Sequence, residues 1–443
     1  MAYVAQPTDG ILERLLDRYA RIRRPLSVDF RNLVHWIRGT DHYTHLLHPY
    51  PAKLLMHIPH FFLQNQILSI PGDTVLDPFC GSGTVLLESF LAGRQAVGAD
   101  ANPMASLISQ VKTRPITAAR VERSLSFCLD HIPTGPIEHL PDVVNLEHWF
   151  YPHVVQQLAR LNQAICRVPD VMARRVLKIC FSNCVKKVSL ADPRLSVPVR
   201  LRQGQYPEGH WLRDQTDAHL RRLRKVNVTR VFETIATANI RRLTTIENLP
   251  QDIRPQIRDV DARRLSLEDS SVDLAITSPP YVGAQKYIRS LGLSLGWLGL
   301  CESTDMRRLK SESIGREEFR LDERANFLRT GIAQADSLLD KVRDRDPLRA
   351  HIAATYLIEM SQAIQELGRV IRRQGHLVLV VGNNRVAQLP FYGARYLQTL
   401  AENNGFRLRL SLVDDIHSRG LMTKRNATAN TITREHVLLL QKE

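Results

Sequence analysis

Long apolar runs are absent from this sequence: none approaches the ~20 residues that a membrane-spanning helix requires. The first residues, Met1 to Pro7, lack a basic segment followed by an apolar core, so no export signal is read there and a cytoplasmic protein is expected. Cysteine is scarce, at six residues in 443. The six are scattered, and the one close pair, Cys180 and Cys184, has the i, i+4 spacing of a helix face, which indicates neither a metal site nor a disulfide framework. Internal repeats and low-complexity tracts are also missing. Acidic residues are the minority charge, 45 Asp and Glu against 60 Lys and Arg, and the resulting +15 favours a polyanionic partner, nucleic acid first.

What is present is an interrupted α/β rhythm, in a chain long enough for two or three domains or one elaborated α/β domain. An amphipathic helix is expected over Gly10 to Arg24, and a loop, His48-Pro49-Tyr50-Pro51-Ala52-Lys53-Leu54, feeds a second one. Thr74 to Asp77 reads as a buried strand, Val85 to Ala92 as the following helix, and Gln95 to Ala99 as a second strand. The rhythm then stops. From Ala118 to Pro250 the periodicity is helical, and between Arg174 and Lys225 thirteen Lys or Arg stand against four Asp or Glu, a net +9 in one segment. Strands return at Ile257 to Ala262 and Ser271 to Ile276. A helix-prone stretch, a long helix over Leu348 to Arg372, a strand over Leu377 to Val381, a helix over Phe391 to Asn403 and two strands, Phe406 to Val413 and Glu435 to Gln441, complete the chain, with a polar loop from Ser418 to Thr433. The expected organisation is residues 1–117 as an N-terminal segment and first half of a core, 118–250 as an inserted helical basic subdomain, and 251–443 as the second half, with a helical excursion at about 283–347.

Two loops carry chemistry. Asp77-Pro78-Phe79-Cys80-Gly81-Ser82-Gly83-Thr84 turns sharply from strand into helix, its glycines allowing close approach of a ligand to the helix amino terminus. Asp100, followed by Ala101, ends the next strand some twenty residues on, where an acidic residue accepts from ribose hydroxyls. A nucleoside triphosphatase would need Lys after the second glycine, where Thr84 stands, and a dinucleotide fingerprint would need a third glycine where Leu86 stands. The second loop, Thr277-Ser278-Pro279-Pro280-Tyr281, comes after a buried strand. Two prolines fix φ and remove two N–H donors, which leaves a stiff loop of outward acceptors suited to an amine.

Together these two motifs resemble the S-adenosylmethionine-dependent amino-methyltransferases that act on DNA, and the likeness covers most of the chain. It implies a Rossmann-like class I methyltransferase sheet with helices on both faces and a mainly helical insertion. It further implies that Tyr50, Pro51, Ala52 and Lys53 close over the methionine part of the cofactor, that Asp261 and Ala262 lie beside its adenine, and that Thr277 belongs to the same wall. Tyr287-Ile288-Arg289 and Gly296-Trp297-Leu298-Gly299 resemble the segments after the catalytic loop in the cytosine-N4 branch.

An exocyclic amine is a weak nucleophile because its lone pair is delocalised, so it must be held in line with the methyl donor. Ser278 and the Pro279 carbonyl, stiffened by Pro280, can accept the two amine hydrogens and stabilise the charge that develops. Tyr281 would stack on a base extruded from the duplex at a cost of roughly a few kcal/mol. Serine at 278 resembles the cytosine-N4 branch, whereas adenine-directed relatives usually carry Asp or Asn there. Cys80 lies in the cofactor loop, so thiolate attack on a cytosine carbon is rejected and it is read as a small buried hydrophobe. Lys186, Lys187, Arg194, Arg221, Arg222, Arg224 and Lys225, with Tyr287 and Arg289, are the candidate contacts to double-stranded DNA. No metal is called for. A restriction endonuclease is the expected partner if the enzyme is the modification half of a restriction system. Three alternatives stay open: an N6-adenine enzyme, a guanine-N2 RNA methyltransferase, and a DNA-binding protein with a degenerate methyltransferase fold.

Overall fold

The strand that ends in the Pro-Pro step lies inside the sheet with neighbours on both sides. The computed structural model describes residues 6–37, 43–137, 140–249, 255–283, 287–324, 327–416 and 432–443. Its strands are β1 (Leu26–Val28), β2 (Thr74–Asp77), β3 (Gln95–Ala99), β4 (Gln256–Asp259), β5 (Val272–Thr277), β6 (Ile371–Val381), β7 (Asn384–Val386), β8 (Leu389–Phe391), β9 (Phe406–Asp415) and β10 (Arg434–Lys442). Eight of them form one sheet in the order β1-β9-β10-β6-β5-β2-β3-β4, and β7 pairs with β8 as a separate hairpin. All neighbours are parallel except β10, which runs antiparallel to both β9 and β6. Without the edge strand β1, this is the order 3-2-1-4-5-7-6 with a reversed seventh strand, the Rossmann-like methyltransferase sheet.

Burial arises from the residue pattern. β5, Val-Asp-Leu-Ala-Ile-Thr, is apolar on both faces, as a central parallel strand must be. Helices Asp9–Ile22 and His57–Leu63 cover one face with Leu12, Phe61 and Phe62. Helices Pro347–Val370 and Gly393–Glu402 cover the other with Tyr356, Leu357, Met360 and Leu397. The long helix starts at Pro347 because Asp346 accepts from Arg349 N and proline at the first turn loses no needed donor.

Between helix Ala118–Asp130 and helix Val228–Leu243 the chain is helical as expected, and among the described residues its only β pairing is the isolated bridge from Ala191 to Arg200. This region has its own core, shared with helices Pro103–Thr113 and Tyr287–Trp297. Trp297 is fully buried there, edge-on to Phe150 and Phe181, and its carbonyl accepts from Asn162. The Gly296-Trp297 pair therefore bolts helix Tyr287–Trp297 to this helical region.

Several boundaries differ from expectation for local reasons. β6 begins at Ile371, not after Gly375, because Arg372, Arg373 and Gln374 form a solvent-facing start that carries no apolar signal. Tyr392 caps the late helix, which starts at Gly393 because Phe391 already belongs to β8. β4 stops at Asp259, so Asp261 stands in the turn beyond it. Residues 417–431, most of the polar loop, lie outside the described residues, as does the expected boundary at Pro250.

Candidate active site

Four neighbouring strands deliver one acidic or polar group each at their carboxyl ends: Ser278 after β5, Asp77 from β2, Asp100 after β3 and Asp261 beyond β4. All four line one cleft. The two sequence motifs are joined beneath it. The Thr277 hydroxyl donates to Asp77 Oδ1 over 2.6 Å, and Phe79 N donates to the same oxygen over 3.2 Å. Burial nevertheless pushes the Asp77 carboxyl up to about 7.

The glycine loop is shaped by Asp100. Gly81 N donates to Asp100 Oδ2 and Asn102 N to Oδ1, each over 2.8 Å, while burial raises this carboxyl to about 6. Gly81 and Gly83 have φ of 49° and 71°, a region that penalises side chains. A Cβ at Gly83 would also lie 2.8 Å from Ser109 Oγ, and one at Gly81 3.3 Å from the Tyr50 ring.

The segment before the loop folds over this floor. Tyr50 stacks on Tyr287, ring centroids 6.2 Å apart and 12° from parallel, and both rings face the cleft. Ala52 and Lys53 line it as well; Lys53 Nζ donates to the His45 carbonyl over 2.6 Å and burial lowers its amine to about 8. Pro78, Phe79, Cys80, Gly81, Ser82 and Thr84 supply the loop wall. Ala101, Ala262 and Pro280 complete the lining that the sequence indicates. Burial pushes the Cys80 thiol well up, in keeping with an inert hydrophobe.

Other expected residues stand behind the wall. Thr277 is fully buried and acts on Asp77; Gly83 caps helix Thr84–Leu91; Pro51 and Pro279 are not cleft-lining. Tyr281 packs on the sheet core, and its hydroxyl donates to Glu435 Oε1 over 3.1 Å. Asp261 is engaged by Arg263, which donates to both carboxylate oxygens at 2.9 Å; burial opposes ionisation there, but the Arg263 hydrogen bonds outweigh it and hold the group low.

The sequence does not point to Asn102, Val260 or the segment Glu312–Ile314, all on the cleft wall with Ile288 of the Tyr287-Ile288-Arg289 segment. Val260 is 70% exposed, and an apolar residue beside a strand-end Asp is the one available signal. Glu312 arrives because its carbonyl accepts from Arg263 Nη2, a contact across 49 residues. Below the loop lies a buried polar layer without a motif. Glu88 accepts from His45 Nε2 at 2.7 Å and His60 Nδ1 at 2.8 Å, and the fully buried Lys112 donates to Ser82 Oγ at 3.3 Å. Burial drives the Lys112 amine and the His45 ring down, the latter to about 3, so Glu88 is a carboxylate held by imidazole N–H donors.

On the insertion, Arg221, Arg222, Arg224 and Lys225 are exposed around the end of helix Arg213–Leu223. Lys187 and Arg289 are exposed too, while Lys186 is half-buried and its amine lowered by burial. Arg194 is not a free cation: it pairs with Asp192 at 2.6 Å and donates to Tyr206 Oη at 3.0 Å. Tyr206 starts a stack, with His210 at 4.7 Å and Trp211 at 6.1 Å from His210, and Trp211 is 71% exposed.

The sheet order is that of the Rossmann-like methyltransferase fold. Residues 32–110, which hold the glycine loop and Asp100, match the family model described as DNA methylase. The chain is 23% identical over 434 residues to the Type II methyltransferase M.MvaI of Kocuria varians, covering 91% of this chain and 92% of that one. It is 23% identical over 276 residues to M.BsoBI of Geobacillus stearothermophilus, 55% and 50% of the two chains. A solved SAM-dependent methyltransferase from Methanosarcina mazei aligns at a TM-score of 0.30 and 12% identity, covering 89% and 98%. The family match and the relatives support a DNA methyltransferase family for this chain.

Proposed function

We propose that this protein transfers a methyl group from S-adenosylmethionine to the exocyclic N4 amine of a cytosine flipped out of DNA. The observation that carries the reading is the convergence of Ser278 with Asp77, Asp100 and Asp261 on one cleft. The residues present fit the cofactor: two buried carboxyls face a site for a cationic ligand, Gly81 leaves room that a side chain would fill, and Thr84 Oγ1 is buried there with no partner among the described residues. Asp77 and the glycine loop would hold the methionine part under Tyr50 and Lys53, Asp100 the ribose, and Val260, Asp261 and Ile314 the adenine. Bound there, the cofactor supplies an electrophilic methyl group on a sulfonium.

The chain's own residues do the rest. Ser278 Oγ, which lines the cleft, accepts an amine hydrogen, which orients the nitrogen and stabilises its developing charge. The Tyr50–Tyr287 pair offers aromatic faces to the extruded base, a role expected of Tyr281 from its motif; Tyr281 instead packs on the sheet core behind the cleft wall. The insertion, residues 118–250, is the DNA-binding subdomain in this reading, with Arg221, Arg222, Arg224 and Lys225 on phosphates and Trp211 stacking on a base. Serine at 278 favours cytosine over adenine. The test is methyl transfer from labelled cofactor to double-stranded DNA and identification of the modified nucleoside: N6-methyladenine would overturn the base, and labelling of RNA alone would overturn the substrate.

A further inference from the structure

We infer that Arg263 is a positioning residue for the cofactor: its guanidinium ties Asp261 and residues 312–315 into one wall of the cleft, and leaves Asp261 there as an acceptor that selects adenine by its amine. The inference rests on the proposed use of S-adenosylmethionine and adds to it the means by which the nucleobase of the cofactor is recognised.

The guanidinium is the centre of a closed set of bonds. Arg263 Nε donates to Asp261 Oδ1 and Nη2 to Oδ2, each over 2.9 Å, and the Arg263 backbone N–H donates to Oδ1 over 2.9 Å. Nη2 also donates to the Glu312 carbonyl over 2.8 Å, and Nη1 to Glu359 Oε1 over 3.3 Å. Glu359, buried on helix Pro347–Val370, accepts at its other oxygen from Gly315 N over 3.4 Å. Arg263 thus holds residue 312 and its partner Glu359 holds residue 315, and between them Ser313 and Ile314 line the cleft. The turn beyond β4, the end of helix Met306–Glu312 and the long helix all meet at one side chain. Arginine can do this because its N–H donors form a rigid planar fork; the compact ammonium of lysine cannot span the same acceptors.

The consequence for a ligand follows from the donor count. A carboxylate offers about four acceptor sites and no hydrogen of its own. Oδ1 takes Nε and the backbone N–H, while Oδ2 takes Nη2 and a 3.1 Å share of the same Nε hydrogen. Oδ2 therefore keeps acceptor capacity, and Asp261 lines the cleft. Val260 and Ile314 add apolar surface to the same cleft. A flat heterocycle with an amine at its edge fits this set, and adenine is the one the proposed cofactor brings. A 6-oxo base presents lone pairs where the amine would stand and is bound less well.

The test is equilibrium dialysis of labelled S-adenosylmethionine with the full chain, using S-adenosylhomocysteine and its 6-oxo analogue S-inosylhomocysteine as competitors, for wild type, Arg263→Met and Arg263→Lys. Wild type prefers the adenosyl compound by about tenfold or more. Both variants bind it about tenfold more weakly, the scale of one hydrogen bond, and their preference over the inosyl compound falls toward one. A purely structural role weakens both compounds alike and keeps the ratio. In methyl transfer to amplified and hence unmethylated bacterial genomic DNA the loss appears in the cofactor KM, and kcat moves far less. A wild-type ratio near one, a ratio unchanged in the variants, or wild-type affinity in Arg263→Lys overturns the assignment and leaves the functional reading standing. If Arg263→Met does not fold, Arg263→Lys decides by the same criteria. A wild-type chain that binds no S-adenosylmethionine refutes the functional reading itself, and the positioning role with it.

Discussion

The Thr277 hydroxyl donates to Asp77 Oδ1 over 2.6 Å, linking residues 200 positions apart at the ends of two adjacent parallel strands. It is the bond that makes two sequence motifs into one site. Thr277→Val removes the donor while nearly keeping the shape, and leaves a buried carboxyl short of a partner. The expected cost is about 1–3 kcal/mol in unfolding free energy, read by denaturant titration, with weaker cofactor binding. Unchanged stability would show that Asp77 finds another donor.

Cofactor affinity should rise with pH. Without ligand, burial raises Asp77 to about 7 and Asp100 to about 6, from 3.8. Both carboxyls bind more protons folded than unfolded, so their contribution to stability is fully present below pH 3.8 and is lost as pH rises through 6 to 7. A cationic ligand favours the ionised forms and must release protons on binding. Calorimetry in buffers of different ionisation enthalpy should show net proton release below neutrality, and proton uptake would contradict the placement of the cation.

Roles divide between the two loops. Ser278→Ala should lower kcat about tenfold to a hundredfold with cofactor affinity within about twofold, and Asp100→Ala should do the reverse. Asp100 also fastens Gly81 N, so its loss loosens the loop and raises the cofactor KM. Loss of cofactor binding in Ser278→Ala would show that this division is wrong.

Neutralising Arg221, Arg222, Arg224 and Lys225 should weaken DNA binding and flatten its salt dependence by about 0.9 in log–log slope for each phosphate that is no longer neutralised. Trp211 should be quenched when DNA binds, a signal that Trp211→Phe removes. A slope and an emission unmoved by these changes would return the face to plain solvent exposure.

How much of this is legible in the sequence depends on what kind of interaction carries it. The strands Thr74–Asp77 and Gln95–Ala99 are read directly, because short, doubly buried parallel strands are continuous apolar runs closed by an acidic residue. β1, β7 and β8 are three residues each, too short for a period, and form only because longer strands or a hairpin partner wait for them. Asp77, Asp100 and Ser278 are visible as motif residues. The partner of Tyr281 is not: Glu435 is one residue of an ordinary strand, and meets it through a hydrogen bond across 154 positions. Glu88 is similar: a lone acid in an apolar helix gives no hint of two histidines from elsewhere in the chain. Arg194 reads as a DNA contact because charge is visible in a sequence and its neutralisation by Asp192 is not.

The central claim is the transfer of a methyl group to a cytosine amine in DNA. The most direct measurement supplies deuterium-labelled S-adenosylmethionine and unmethylated double-stranded DNA, digests the product to nucleosides and weighs them. Labelled N4-methyldeoxycytidine is the predicted product. Labelled N6-methyldeoxyadenosine, or no labelled nucleoside from a chain that binds the cofactor, would contradict the account.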